Sequence, residues 1–214
     1  MGEPAHPYSM PWLCPRDLEV RQATPADAPQ FAARWVEGVP DFAAAFAQPD
    51  SRIQAAVRAR IRRDPDCLKL SGVAVHEGRI VGVCRLVRYP GRGLNWWREA
   101  RACASVLGWP AALAGMRRLR AWGWGRDVQP DELYLDAWYV VAPLRGRGIG
   151  RALMEYARMQ VNLTGLNKLS AHVRNDNPDG RRILEHLGFE AAQVHRGTRG
   201  PGHPGLVLMR CAWG

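Results

Sequence analysis

Residues 140–154 read V-V-A-P-L-R-G-R-G-I-G-R-A-L-M. An apolar segment passes Pro143 into a turn holding Gly146, Gly148 and Gly150, with Arg145, Arg147 and Arg151 around them, and an apolar helix-forming segment follows. A glycine-rich turn between a strand and a helix aims several backbone N–H groups at one point. The helix N-terminus adds roughly half a positive charge there. With no side chains in the way and three guanidinium groups beside it, such a turn suits a diphosphate. The P-loop pattern is absent, because Gly150 is followed by Arg151 and Ala152 rather than by Lys and Ser or Thr. The dinucleotide pattern GxGxxG fails as well, since Arg151 stands where its last glycine belongs.

The elements that hold this turn are legible on either side. L-E-V-R-Q-A at 18–23 reads as a first strand. In T-P-A-D, Thr24 is a helix cap, Pro25 takes the first helical position and Asp27 lies in the first turn, so a helix is expected to about Glu37. Ser51 is placed to cap a second helix carrying Ile53, Val57 and Ile61 at four-residue spacing. Segments 69–75 and 79–87 read as strands joined by a tight H-E-G turn. Residues 132–141 form the strand that enters the glycine turn, and a helix leaves it to about Leu163. A strand at 168–173, a capped turn N-D-N-P-D-G, a short helix stopped by Gly188, and strands near 190–196 and 205–211 complete the pattern.

Arg145, Gly148 and Gly150 stand at R-x-x-G-x-G spacing, entered from a strand end with Val141 and Pro143. Downstream, V-R-N-D-N-P-D-G-R-R-I-L-E-H-L-G-F-E at 173–190 combines a strand, an asparagine turn and a helix ending in L-G-F-E. Together with A-T-P-A-D near the start, this pairing resembles the GNAT superfamily of acyl-CoA-dependent N-acyltransferases, over roughly residues 18–211 with 89–130 outside it. The resemblance implies an α+β fold: a mixed, mostly antiparallel sheet of about six or seven strands with helices on both faces, here with a helical insertion at 89–130. The domain plan is a flexible tail over 1–15 and a single domain over 16–214. The resemblance also implies acetyl-CoA as co-substrate, its diphosphate on the amides and side chains of Arg145, Gly146, Arg147, Gly148, Ile149, Gly150 and Arg151. Its pantetheine arm is expected in the cleft where strands 132–141 and 168–173 splay, bonded near Tyr139, Val140 and Val141. Asn177 matches the family's turn asparagine, which contacts that arm.

The implied reaction is direct attack of an amine on the thioester in a ternary complex. A primary amine with pKa near 10 is only about 10⁻³ neutral at pH 7, a deficit of roughly 4–5 kcal/mol, so a proton acceptor is needed. Asp136 and His172 stand near the implied cleft. Strand alternation puts Asp136 on one face with Tyr134, Trp138 and Val140. An imidazole at His172 suits a base near neutrality. Each also has a plainer reading, as a salt-bridged carboxylate and a packed histidine. The family tyrosine that protonates the leaving thiolate is replaced by Leu184, which leaves that role to Tyr139, Tyr134 or water. The same replacement favours an alternative: an acyl-CoA-binding sensor or interaction module with weak transfer.

The 214 residues carry a formal net charge of +10, and 28 of the 30 basic residues are arginine. A basic surface favours anionic partners, from phosphate-bearing cofactors to acidic membranes or nucleic acid, without choosing among them. The RNA-reading motifs are absent, which makes nucleic acid the weakest reading. Five cysteines without a CxxC pair point to reduced thiols in a cytoplasm and away from disulfides or zinc. The histidines lack metal-ligand spacing, so no metal is expected. No run of about 18 apolar residues predicts a membrane span. The segment 89–130 holds five of the nine tryptophans and reads as two short helices broken near Gly108 and Pro110. It is open to four readings: extra core, a homodimer face, a lid on an aromatic acceptor, or a basic patch. The acceptor itself is an amine of a small molecule or of a protein N-terminus or lysine.

Overall fold

The structure, a computed structural model, describes Pro15 and residues 17–88, 96–196 and 205–212. The expected tail over 1–15 lies, except for Pro15, outside the described residues. Strand β1 (Glu19–Gln22) leads through a short 3-10 turn at Pro25–Asp27 into helix α1 (Ala28–Gly38). The turn is held as its sequence requires. The Thr24 backbone N–H donates to Asp27 Oδ2 at 2.8 Å, and Arg21 grips the same carboxylate, which holds its pKa down to about 2.

A helix that the sequence pattern did not signal, α2 (Pro40–Phe46), follows, with Pro40 at its first position. Helix α3 (Asp50–Arg63) starts one residue before Ser51, which therefore lies inside the helix and not at its cap. Strands β2 (Gly72–His76) and β3 (Arg79–Arg88) are joined by Glu77 and Gly78, both at positive φ, as a two-residue hairpin turn demands. The insertion forms α4 (Trp96–Leu107) and α5 (Trp109–Trp122), broken at Gly108. Then come β4 (Glu132–Val140), α6 (Ile149–Leu163), β5 (Lys168–Arg174), α7 (Pro178–His186), β6 (Glu190–Arg196) and β7 (Gly205–Ala212).

The seven strands form one sheet in the order β1-β2-β3-β4-β5-β7-β6. Every neighbouring pair is antiparallel except β4 and β5. Two apolar cores cover the two faces. One gathers Phe31, Trp35, Phe46, Ile53 and Val57 with Cys103, Met116 and Leu119 of the insertion. The other gathers Ile149, Leu153, Ala157 and Leu184 against Leu133, Leu135 and Leu169. So α1 to α5 lie on one face, and α6 and α7 on the other. The insertion is part of the first core. Its buried side chains pack directly on α2 and α3, each such burial contributing on the order of 1.5–3 kcal/mol.

Candidate functional site

Strands β4 and β5 pair in parallel for four residues only, Glu132–Leu135 against Lys168–Ala171. Beyond that they part, while β5 continues its ladder with β7 to Arg174. The glycine turn lies at the end of β4, where this gap opens. A short 3-10 turn at Ala142–Leu144 brings the chain round, with the Leu144 N–H donating to Val141 O at 3.0 Å. Gly146 and Gly148 each have φ +76, a left-handed backbone that glycine adopts without steric cost. Gly148 is the last residue before α6, and the first bond of the helix runs from Ala152 N–H to its carbonyl. The first-turn amides therefore emerge at the helix N-terminus without a carbonyl one turn back. A Cβ added at Gly146 would meet nothing within 4 Å. Arg145, Arg147 and Arg151 are all exposed around the turn. Open backbone, amides aimed outward and three guanidinium groups fit the diphosphate of acetyl-CoA.

Trp138 fixes how the turn sits on the strand. Its Nε1 donates to Gly150 O at 3.0 Å, and a Cβ at Gly150 would lie 3.2 Å from the indole, a contact that a larger residue could make only if the ring gave by a few tenths of an ångström. The backbone of β4 is divided between two neighbours. Val141 N–H donates to Val81 O at 2.9 Å, which commits Val141, and by ladder alternation Tyr139, toward β3. Val140 faces the gap, where its carbonyl accepts from Arg145 Nε at 3.0 Å. Of the three expected backbone contacts, Val140 alone faces the gap. Asn177 caps α7, its Oδ1 accepting from Gly180 N–H at 2.9 Å.

Asp136 occupies a β-bulge. Arg85 pairs with Ala137 but Leu86 pairs with Leu135, which leaves Asp136 as the extra residue. The bulge reverses the alternation. Before it, Leu133 and Leu135 face α6; after it, Trp138 and Val140 do. The expectation that Asp136 shares a face with Trp138 and Val140 is thus corrected. Asp136 faces the opposite core, where its carboxylate pairs with the buried Arg85 guanidinium and accepts from Trp124 Nε1 at 3.1 Å. Arg85 in turn lies over the Trp35 ring, 4.8 Å from its centroid. A cavity of about 10 Å³, room for one water, remains between Asp136, Arg85, Glu99 and the rings of Trp35, Phe42 and Trp124. Both oxygens of Asp136 are engaged, so the plainer reading of this residue is the one its geometry favours.

His172 stands at the first position of β5 beyond the β4 pairing. Its Nδ1 lies 3.0 Å from the Tyr134 hydroxyl, and its Nε2 is buried with no hydrogen-bond partner among the described residues. The His195 ring lies 5.6 Å away, centroid to centroid, and His195 Nε2 is 3.4 Å from Asp127 Oδ2. Burial first, then the nearby His195 and Arg210, push the His172 pKa down to about 3. The imidazole is neutral at pH 7, and this value is far from the near-neutral pKa that suits a base. Tyr139 packs on α1, with its ring 5.5 Å from the Arg145 guanidinium; burial and a bond to Glu37 raise its pKa. Leu184 is buried in the core beneath α6.

The acetyltransferase (GNAT) family profile matches residues 35–189. The chain belongs to the GNAT acetyltransferase family. Members use acetyl-CoA as acyl donor, and this GNAT protein is an acyltransferase. No curated protein matches it in sequence. Among solved structures, an N-acetyltransferase from Staphylococcus aureus Mu50 superposes with a TM-score of 0.65 at 16% identity, over 90% of this chain and 98% of that one. The paia N-acetyltransferase of Thermoplasma acidophilum, in complex with coenzyme A, gives 0.51 at 12% identity, over 92% and 99%. A chain of the NatC complex bound to Gag peptide and CoA gives 0.58 at 14%, over 92% and 99%. At such identities these likenesses establish the GNAT fold, with its mixed and mostly antiparallel sheet.

Several residues of the site were not signalled in the sequence: Arg85 and Trp124 as partners of Asp136, and Arg174, which binds Asp41 at the start of α2 at 2.7 Å and also grips Asp176. One clue was present. Arg85 interrupts the apolar run V-G-V-C-R-L-V, and a charge inside a central strand requires a buried partner. Among the described residues no helix is long and apolar enough to cross a membrane, and no group of three His, Cys, Asp or Glu is placed to hold a metal.

Proposed function

We propose that this protein is an N-acetyltransferase that moves the acetyl group of acetyl-CoA to an amine by direct attack in a ternary complex. The observation that carries this reading is the glycine turn opening α6 where β4 and β5 part. In this reading the amides and side chains of residues 145–151 hold the diphosphate. The backbone edge of Val140 holds the pantetheine arm, with Arg145 shifting from its carbonyl, and Tyr139 and Val141 flank it. Asn177 keeps the facing turn in shape. The thioester then lies level with Tyr134 and His172, and the amine arrives from the face covered by α1, α2 and α5. An amide N–C bond forms, the thioester C–S bond breaks, the amine gives up a proton and the thiolate takes one.

Tyr134 and His172 support the two proton roles best. A proton on His172 at pH 7 costs about 5 kcal/mol at a pKa near 3, so its neutral imidazole is read as an acceptor that orients the amine or a bridging water. Tyr134, whose hydroxyl lies 3.0 Å from His172 Nδ1, is read as the group that protonates the thiolate, with Tyr139 the second choice. Asp136 is read as the anchor of the bulge. The chain is read as one domain over 16–214, and the four cysteines among the described residues, Cys67, Cys84, Cys103 and Cys211, are free, which suits a reducing cytoplasm.

A second reading, an acyl-CoA-binding module with weak transfer, is favoured by Leu184 and by the single-water cavity beside Asp136, which leaves little room for an acceptor without movement of Phe42 or Trp124. Thiol release from acetyl-CoA with a panel of small amines and N-terminal peptides separates the two. Turnover above the buffer rate with any member supports transfer. Binding of acetyl-CoA with no thiol release across the panel supports the module.

A further inference from the structure

We propose that His195 and Asp127 carry the acceptor's surplus proton from His172 to solvent. The proposal rests on the transfer reading above. A primary amine that arrives as ammonium brings three N–H protons. The amide keeps one, the thiol takes one, and the third has to leave once per turnover. An amine with pKa near 10 arrives that way at pH 7. Tyr134 is 1% exposed, so a proton taken up there needs a carrier outward. The described residues hold a set of side chains that leads out. The Tyr134 hydroxyl lies 3.0 Å from His172 Nδ1, and the His172 and His195 rings are 5.6 Å apart, centroid to centroid. At that separation a small turn and approach of the rings brings two nitrogens into hydrogen-bond reach. His195 Nε2 is 3.4 Å from Asp127 Oδ2, and the Asp127 side chain is 36% exposed. His172 Nε2, His195 Nε2 and Asp127 Oδ2 are buried and make no hydrogen bond among the described residues. A settled structural cluster satisfies its buried polar atoms. Three unsatisfied ones together are what a proton path leaves open between jumps.

The charges around the two rings draw the proton outward. Arg210 of β7 is matched by Glu132 of β4 at 2.8 Å, and it fixes the Asp127 backbone by donating to its carbonyl at 2.5 Å. Arg126 reaches Asp127 only at 3.9 Å and is 68% exposed, where salt screens it. Asp127 is therefore the acid that favours a proton on His195, against the burial that lowers the pKa of that ring. His195 is held in place by the end of the insertion: a Cβ at Gly123 would lie 3.3 Å from its Cγ. The transfer is a concerted one. Tyr134 passes its proton to His172 Nδ1 as it receives the amine's, and His172 Nε2 gives its proton to His195. The His172 ring stays neutral throughout, so its depressed pKa is no obstacle, and water in the emptied cleft resets its tautomer. His195 touches no substrate and acts through His172.

The test uses the full chain and a primary alkylamine from the panel, with kcat/KM for the amine read from pH 7 to pH 10. His195→Phe replaces the ring by one without a nitrogen. Its kcat/KM is expected to fall at least about tenfold below the parent at pH 7. At pH 10, where much of the amine arrives neutral and brings no third proton, it comes within about twofold of the parent. Asp127 has φ +61, a backbone that asparagine adopts as readily. Asp127→Asn therefore shows the same convergence from a smaller deficit, and it serves alone if His195→Phe does not fold. In both variants KM for acetyl-CoA stays that of the parent. A deficit that is equal at the two pH values is what structural damage alone gives, and it overturns the proposal. So does the absence of any deficit at pH 7; either result leaves acetyl transfer standing. A parent that binds acetyl-CoA and releases no thiol with any amine overturns the transfer reading, and this proposal with it.

Discussion

Replacing Gly148 by glutamate separates the phosphate cradle from the fold around it. Gly148 sits at φ +76 and ψ −9 immediately before α6. A side chain in that left-handed conformation costs about 1–2 kcal/mol. A carboxylate at a helix N-terminus returns about 0.3–1 kcal/mol. For a chain of this size each kcal/mol shifts Tm by about 2–4 °C, so Gly148→Glu without ligand melts at most about 8 °C below the parent and still unfolds cooperatively. In the parent, acetyl-CoA at one hundred times its Kd adds about 2.7 kcal/mol, a rise of about 5–11 °C. The variant lacks this rise, because its carboxylate and its bulk both occupy the place of the diphosphate. Gly148→Ala carries the backbone strain without the charge and keeps part of the rise. Scanning fluorimetry of the three proteins with and without acetyl-CoA reads the difference. An undiminished rise in Gly148→Glu would refute the placement of the diphosphate on the turn.

Asp136→Ala strands the buried Arg85 guanidinium and is expected to lose about 3–5 kcal/mol in urea unfolding, most of it regained in an Arg85→Met/Asp136→Leu pair; a loss below about 1 kcal/mol would show that the ion pair is not structural. His172 has a folded pKa of about 3 against about 6.5 when unfolded, so between those values the unfolded chain holds a proton that the folded chain lacks. Stability therefore falls as pH drops below about 6.5, by at most about 1.4 kcal/mol per unit, and the fall levels off near pH 3. His172→Gln flattens that slope between pH 6 and pH 4, where His195 still contributes in both proteins; superimposable slopes would place His172 in water. Tyr134→Phe is expected to lower kcat by about 10²-fold with KM for acetyl-CoA unchanged, and an unaltered kcat would remove Tyr134 from the proton transfer.

The sheet and both helical faces were legible because their signals are local. Thr24-Pro25-Ala26-Asp27 carries a complete helix start, and His76-Glu77-Gly78 a complete hairpin turn, each in four residues or fewer. Helix α2 was missed because seven residues, P-D-F-A-A-A-F, are too few to show a helical period. The tryptophans of 89–130 gave composition without direction. Only the fold shows that Trp124 turns inward to Asp136 while Trp97 and Trp109 face solvent.

The two halves of the candidate site differ in legibility for the same physical reason. The proposed diphosphate cradle is a backbone device contained in seven consecutive residues, and its left-handed positions at Gly146 and Gly148 are written directly as glycine. The acceptor half is assembled from α1, α2, β3, β4, β5 and the segment after α5, so no spacing encodes it. The bulge at Asp136 then exchanges the faces of every later residue in β4, which defeats alternation at the very strand that matters most. The Arg85–Asp136 pair explains why the bulge stays where it is. A buried ion pair about breaks even in stability against apolar side chains of the same size, so its contribution here is positional. With Trp124 and Trp35 closing round it, the pair pins the extra residue at the level where β4 leaves β5, and so sets Trp138, which follows the bulge, toward the glycine turn.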